Sequence, residues 1–285
     1  MIEELGALAN AIRWKSLVAI YTAGSGHPGG VLSAAELVAY ICLERLEWRN
    51  GARNTNSHFV LSKGHSCPAL YAAAADCQLI SHQTLLSFRK LGSPLQGHPN
   101  VLTTPWVETS TGSLGQGFSF ALGMALGYRH RGAPHRTYAM LGDGELQEGQ
   151  VWETAMCAGH YQLDSLCVLI DYNKMQSDDL NENIMGLEPL VDKWKAFRWH
   201  VIEIDGHDFG QIAAATKEAD ETESKPSVII AHTIKGKGIS FMEGSPAWHG
   251  SVKLRDQELI DALDELGLSG EEIQSSLDGT IWGQQ

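Results

Sequence analysis

Residues 141–173 read LGDGELQEGQVWETAMCAGHYQLDSLCVLIDYN, and their reading decides the fold. The apolar run Tyr138–Leu141 leads into Gly142-Asp143-Gly144, and a second run, Leu166–Asp171, leads into Asn173. Both runs are short and rich in strand formers, and the stretch between them, about 147–161, carries helical spacing. Strand, helix and strand in that order describe one right-handed parallel crossover. Ligands of such sheets bind beyond the carboxyl ends of the strands. Asp143 and Asn173 therefore stand as two oxygen ligands at neighbouring strand ends, where a divalent cation and a diphosphate can sit together. Glycine on each side of Asp143 lets backbone N–H groups come close to a phosphate. Mg²⁺ takes one or two protein carboxylates and completes an octahedral shell with phosphate oxygens and water. Asp143, the Asn173 amide oxygen and a loop carbonyl such as that of Met175 meet that demand. The competing reading is a Gly-Asp-Gly turn beside an unrelated loop asparagine.

The same alternation extends outward. Strands are expected at His58–Ser62, Val201–Asp205 and Val228–Ala231, and helices at about 67–77, 82–90, 189–198 and 209–221. Residues 5–22 read as an amphipathic helix, and Ser33-x-x-Glu36 as a capping box opening a helix through about Glu47. Gly115 to Arg131 has small and apolar residues at helical spacing and reads as a buried helix. The expected fold is a doubly wound, mostly parallel α/β sheet with helices on both faces. One domain accounts for residues 1–285, with a polar acidic helix and tail from about 256 to 285.

Bulk properties limit the partners. The chain has 285 residues, 43% of them hydrophobic, and a formal net charge of −13. That field repels nucleic acid and anionic membrane, though a cation-lined pocket can still hold a small anion. No apolar run approaches a membrane span, and the acidic leader MIEELGAL is unlike a signal peptide, so a cytoplasmic protein is expected. The five cysteines form no Cys-x-x-Cys pair and read as reduced, mostly buried thiols.

Four histidines lie in glycine- and proline-rich turns: His27 in SGHPG, His65 in KGHS, His98 in GHP and His249 in WHG. Such turns let a ligand approach the backbone, and imidazole can donate to hydroxyls, shuttle protons and offset phosphate charge. A zinc site is disfavoured, because the spacing is wide and no cysteine is paired with them. Residues 111–117, TGSLGQG, open a helix whose free N–H groups favour an anion or a polar ring edge, or which simply packs against the sheet. Lys235, in the Lys235-Gly236-Lys237-Gly238 run after the last strand, can neutralise phosphate. Lys63 is a weaker candidate for the mouth of the site. Glu148 and Glu153 start the helix after Asp143, where exposed acids are ordinary.

The GDGE-x-x-EG-x-x-WE-x-A run, the Asp-x-Asn after the next strand and the histidine turns, in this order, resemble the amino-terminal, diphosphate-binding part of transketolase. The resemblance covers roughly residues 5 to 255. It implies thiamine diphosphate and Mg²⁺ (Ca²⁺ or Mn²⁺ in its place) as cofactors. It also implies transfer of a two-carbon ketol unit from a ketose phosphate to an aldose phosphate, by default in the pentose phosphate pathway. By resemblance His27 and His98 contact donor hydroxyls, His65 lies near diphosphate and reacting centre, and His249 contacts diphosphate and assists proton transfer. Gly112, Ser113 and Leu114 match the segment touching the aminopyrimidine, and Lys235 a diphosphate contact. Glu148, and less so Glu153, match acids in a hydrogen-bonded chain between two active sites across a subunit interface. Two departures stand out: Gly29-Gly30 replaces a position that often carries a hydroxyl, and KMQSDD after Asn173 blurs the alignment of Gln176. Transketolases supply the glutamate that activates the pyrimidine, and the main sugar-phosphate arginines, from a second α/β domain of the partner subunit. The sequence ends at Gln285 before any such domain, so the expected protein is the amino-terminal subunit of a split transketolase. It would work with a carboxy-terminal subunit in an α2β2 assembly. A piece of a longer transketolase is the rival to a natural split subunit, and other thiamine diphosphate enzymes (deoxyxylulose-phosphate synthase-like or 2-oxo acid dehydrogenase-like) and a non-catalytic cofactor-binding module are further alternatives. A nicotinamide-binding domain is more distant, since no Gly-x-Gly-x-x-Gly follows a first strand.

Overall fold

The computed structural model describes residues 1–53 and 56–282. Five parallel strands run side by side: β1 (Ser57–Leu61), β2 (Arg136–Gly142), β3 (Leu166–Tyr172), β4 (His200–Asp205) and β5 (Ser227–His232), in the spatial order β1-β2-β3-β5-β4. The expected parallel α/β sheet is therefore present. Its centre is β2, β3 and β5, where Gly142 pairs with Asp171 and Tyr172 with His232, so three strands end level with one another. Strand β4 forms one edge, and its Glu203 and Asp205 are exposed.

Both faces are covered because the strand side chains alternate between two cores. Leu61, Tyr138, Met140, Leu169 and Ile229 point to one face, against α1 (Ile2–Ala23), α3 (Ala35–Tyr40) and α4 (Cys67–Asp76). Val60, Ala139, Leu141, Ile170 and Ile230 point to the other, against α6 (Gln116–His130), α7 (Gly149–His160) and α9 (Leu190–Ala196). Period-2 alternation inside strands buried on both sides is what a parallel sheet requires.

Four local expectations are corrected. The first helix is amphipathic only over its first half, where Leu5, Leu8, Ala9 and Ile12 are buried beside exposed Ala7 and Asn10; Leu17, Val18, Ala19 and Ile20 are all at 0% exposure, because the second half of α1 is sandwiched. Its cations are buried too, Arg13 paired with the buried Glu36 and Lys15 with Asp76 at the surface. Ser33 caps nothing; it ends the short helix α2 (Pro28–Ser33), and Asp171 captures its hydroxyl at 2.6 Å. The helix expected at 82–90 is one turn, α5 (His82–Leu85), capped by Ser81. Helix α6 is buried on one face only, through Gly117, Phe118, Ala121 and Ala125, while Phe120, Gly123 and Gly127 are exposed or half-buried. The polar end of the chain carries two helices, α11 (Asp256–Glu265) and α12 (Gly270–Leu277), after α8 (Asn181–Ile184) and α10 (Phe209–Glu221) in chain order. Their apolar residues Leu259, Leu263 and Ile273 join the first core; residues 283–285 of the expected tail lie outside the described residues.

Candidate active site

The carboxyl ends of β1, β2, β3 and β5 open onto one concavity of about 240 Å³. At the end of β2 the chain turns through Asp143 into a 3-10 turn, Gly144–Gln147. Asp143 is 2% exposed and accepts the N–H of Gly144 at 2.9 Å and that of Lys174. Burial, and then the neighbouring Asp171 carboxylate, push its pKa up to about 7. Past β3, Asn173 is also buried; its amide oxygen accepts the N–H of Met175 at 3.1 Å, which leaves a lone pair free.

Asp171 lies beneath this pair and is fully buried. It accepts from Ser33 at 2.6 Å, from the Thr233 hydroxyl and from the Lys63 ammonium. Burial alone would raise this carboxyl, but the Lys63 charge and the three donors outweigh it and hold it below its ordinary range. Lys63 is thus 1% exposed and spans Asp171 and the Gly30 carbonyl, so it forms the floor of the concavity rather than its mouth.

Glu145 supplies the second buried joint, although spacing draws the eye to Glu148 instead. It accepts Gly115 N–H at 2.8 Å, Gly142 N–H at 3.1 Å and the Ser62 hydroxyl, which in turn accepts Phe118 N–H at 3.0 Å. One carboxyl group thereby links the ends of β1 and β2 to the start of α6, whose N-cap Gly115 has φ of 82°. That left-handed backbone is open to glycine at little cost. The burial of Glu145 with three donors in a tight turn could not be read from spacing.

The four expected histidines converge. The rings of His27 and His65 lie 5.2 Å apart, His65 and His249 5.5 Å, and His27 and His249 5.9 Å. His98 lines the same wall, against Gly112. Burial, followed by neighbouring cations, lowers all four: His27 to about 4, His249 to about 3, and His65 and His98 below the ordinary imidazole range. They are neutral at pH 7, each able to donate one hydrogen bond and accept another. Lys235 is 1% exposed; its ammonium lies 2.7 Å from His249 Nδ1, 3.0 Å from the Gln176 carbonyl and 3.5 Å from that of Met175. Burial lowers it to about 8.

Gly112, Leu114, Gly142, Asp143, Gly144, Asn173, Met175, Lys235 and the histidines thus share one cavity. Ser113 and Glu148 do not line it; both are exposed, Glu148 as the N-cap of α7. Gln176 does line it, and its side-chain N–H₂ is buried with no partner among the described residues. Arg89, which the sequence does not mark, backs the cavity wall from outside, with its guanidinium 3.5 Å from His27 Nδ1. It stands beside His27 in a loop that reads as helix, so no periodicity singles it out.

A parallel sheet carries buried oxygen donors, neutral imidazoles and a buried lysine at its carboxyl rim, an arrangement suited to an anionic ligand in an α/β domain. Comparison with known proteins places it further. The family described as "Transketolase, thiamine diphosphate binding domain" matches residues 5–275, and the chain belongs to that family. It is 44% identical over 269 residues to the 6-deoxy-6-sulfo-D-fructose transketolase subunit SqwG of Clostridium sp. (strain MSTE9), covering 94% of this chain and 98% of that one. With one subunit of the apulose-4-phosphate transketolase of Phocaeicola vulgatus it shares 35% identity, over 98% of this chain and 99% of the other. Human transketolase is 39% identical over 87% of this chain, but only 40% of its own length is covered. The crystal structure of Campylobacter jejuni transketolase superposes with a TM-score of 0.86 at 29% identity, covering 99% of this chain and 48% of that one.

Proposed function

We propose that this chain is the diphosphate-binding subunit of a two-chain transketolase, which moves a two-carbon ketol unit from a ketose phosphate to an aldose phosphate. The carrying observation is Asp143: a buried carboxylate with a raised pKa and no ion-pair partner among the described residues, set beside Asn173 and the Met175 carbonyl. The three donors are hard oxygens, the set a Mg²⁺ ion takes. Among the described residues no group of three or more His, Cys, Asp or Glu could hold a metal, so the cation site rests on this mixed set. The surroundings fit a diphosphate as well. Lys235 and His249 meet above the Met175 and Gln176 carbonyls. Gly30 leaves bare backbone 3.2–3.6 Å, measured from an added Cβ, from Ser66 Oγ, Lys63 Nζ and His65 Nε2. Ser66 Oγ and Gln176 Nε2 are buried polar atoms still lacking partners among the described residues.

Asp143, Asn173 and the Met175 carbonyl would hold the cation, and Lys235, His65 and His249 the diphosphate. Gly112 to Leu114 would bound the aminopyrimidine. Thiamine diphosphate, when bound, supplies the electron sink for cleaving and remaking the carbon–carbon bond. His27 and His98, neutral and facing the cavity, would orient the sugar hydroxyls and carry protons at Nε2. The exposed Glu148 would reach a second copy across the subunit interface.

A cavity near 240 Å³ is smaller than sites that enclose a whole cofactor-sized ligand. The activating glutamate and the remaining walls are assigned to a carboxy-terminal subunit, in an α2β2 complex. Two relatives named as subunits are covered over 98% and 99% of their length, which supports that arrangement. The 44% identity to a sulfofructose transketolase subunit favours one specific second reading, a sulfonated ketose as donor. Among the described residues no helix is long and apolar enough to cross a membrane.

The test is gentle affinity purification of the tagged chain from its host, native mass measurement, and a ketol-transfer assay of the complex with phosphorylated and sulfonated ketoses. A stoichiometric second polypeptide and transfer activity support the proposal. A chain that binds thiamine diphosphate alone and gives no turnover with any co-purifying partner is a binding module instead. Turnover of pyruvate without ketose transfer would assign it to another thiamine enzyme.

A further inference from the structure

Arg89 is held where its backbone resists. It sits one turn past α5 with φ of 59°, a left-handed conformation that side chains with a Cβ rarely take. Its N–H is fixed to the Leu95 carbonyl at 2.8 Å. Its guanidinium lies across Gly97, where an added Cβ would come within 2.7 Å of Nε. One arm donates to the Ser25 hydroxyl at 2.8 Å, and the other approaches His27 Nδ1 at 3.5 Å. Strained backbone that persists around a pocket points to a task for the side chain it presents.

The chemistry at His27 follows from what a guanidinium can do. It has donors only and keeps its proton at any accessible pH, so Nδ1 facing it must be the accepting nitrogen. The ring proton is then on Nε2. That edge of the ring passes over Gly250, where an added Cβ would lie 2.5–2.6 Å from Cδ2 and Nε2, and His27 lines the cavity. The other groups facing His27 are His98 from the loop after α5, His65 from the turn after β1, and Lys235 and His249 from the loops after β5. None of them is a carboxylate that would draw the proton to Nδ1.

We infer that Arg89 is a positioning residue that locks His27 as its Nε2–H tautomer, so that His27 enters the cavity as a hydrogen-bond donor to a substrate hydroxyl or carbonyl oxygen. The identity of the group His27 faces rests on the transketolase reading; the tautomer does not. A neutral histidine without such a neighbour exchanges its proton between the two nitrogens. Here donor and acceptor edges are assigned before substrate arrives.

The experiment is long-range ¹H–¹⁵N NMR of the imidazoles in the full chain, as wild type, Arg89→Met and Arg89→Lys, titrated with pH. In wild type, His27 Nδ1 should carry the unprotonated signal and Nε2 the protonated one, with a titration midpoint near 4. In Arg89→Met the two nitrogens should give averaged signals, and the midpoint should rise by about 1 pH unit or more as a neighbouring cation is lost. Arg89→Lys should recover the low midpoint without the fixed tautomer, because one ammonium cannot span Ser25 and His27 as the fork does. In the two-chain enzyme, Arg89→Met should lower kcat/KM with its acid limb moved upward, a change that mere loss of folded enzyme would not produce. A proton on Nδ1 in wild type, or an unchanged tautomer in both variants, overturns the inference. Absence of ketol transfer alongside the predicted tautomer would overturn the proposed function and leave the role of Arg89 standing. If Arg89→Met does not fold, Arg89→Lys and Ser25→Ala carry the same test, Ser25→Ala freeing the guanidinium and mixing the tautomers.

Discussion

Asp143 and Asp171 close neighbouring strands, and both are buried, at 2% and 0% exposure, yet their protons are held in opposite ways. Asp171 has Lys63, Ser33 and Thr233 around it and stays ionised below the usual range. Asp143 has two backbone N–H donors, no ammonium in contact among the described residues, and a pKa near 7. Equal burial therefore does not mean equal role. One carboxylate has its counter-charge built into the chain and belongs to the frame. The other is left short of positive charge, and we assign it to a ligand because a buried charge is stable only when paired.

The comparison can be broken from either side. The largest expected effect is on the frame: Lys63→Met strands Asp171 in the interior and should lower unfolding free energy by roughly 3–5 kcal/mol. Urea unfolding followed by circular dichroism would show it; a loss below about 1 kcal/mol would mean that Asp171 is not an obligate ion. Next, Asp143→Ala should weaken Mg²⁺-dependent binding of thiamine diphosphate by at least about 100-fold, since it removes the carboxylate proposed as a direct ligand and not merely a supporting contact. Titration calorimetry reads this, and unchanged affinity would remove Asp143 from the site.

A smaller effect has the opposite sign. The cofactor-free chain carries the cost of Asp143, so Asp143→Asn should stabilise it by roughly 0.5–2 kcal/mol at about pH 8. The pH window follows from the raised pKa. Folding binds the proton more tightly than the unfolded chain does, so wild-type stability from this group is fully present below 3.8 and is lost as pH rises through about 7. The difference between variant and wild type should accordingly shrink towards zero by about pH 4, and thermal melts across that range would show whether it does. Smallest is Ser33→Ala, which removes one of the donors to Asp171 and should cost about 1 kcal/mol, seen as a lower urea midpoint with unchanged slope.

Much of this was legible in the sequence, because strands buried on both faces advertise themselves as short β-rich runs, and Gly-Asp-Gly marks where one ends. The cavity histidines were legible for a related reason: each sits in a turn of glycine and proline. What could not be read is pairing across the chain. Lys63 and Asp171 are 108 positions apart, and only the register of the strands brings them together. Ser33 matched a capping pattern, but the hydroxyl that pattern assigns to a helix end goes to Asp171 instead. Arg89 was invisible because its left-handed backbone breaks the helix that residues 82–90 suggest. The long first helix misled in the other direction: its cations Arg13 and Lys15 look like a solvated face but are both buried, Arg13 paired with the buried Glu36 and Lys15 reaching out to Asp76 at the surface.

The edge strand β4 has a consequence for how copies of this molecule can meet. Its exposed Glu203 and Asp205 place carboxylates along the border where another strand would have to pair. Like charges brought opposite one another across a sheet repel, and charged edges resist growth by added strands. Self-association along this border would have to overcome that repulsion.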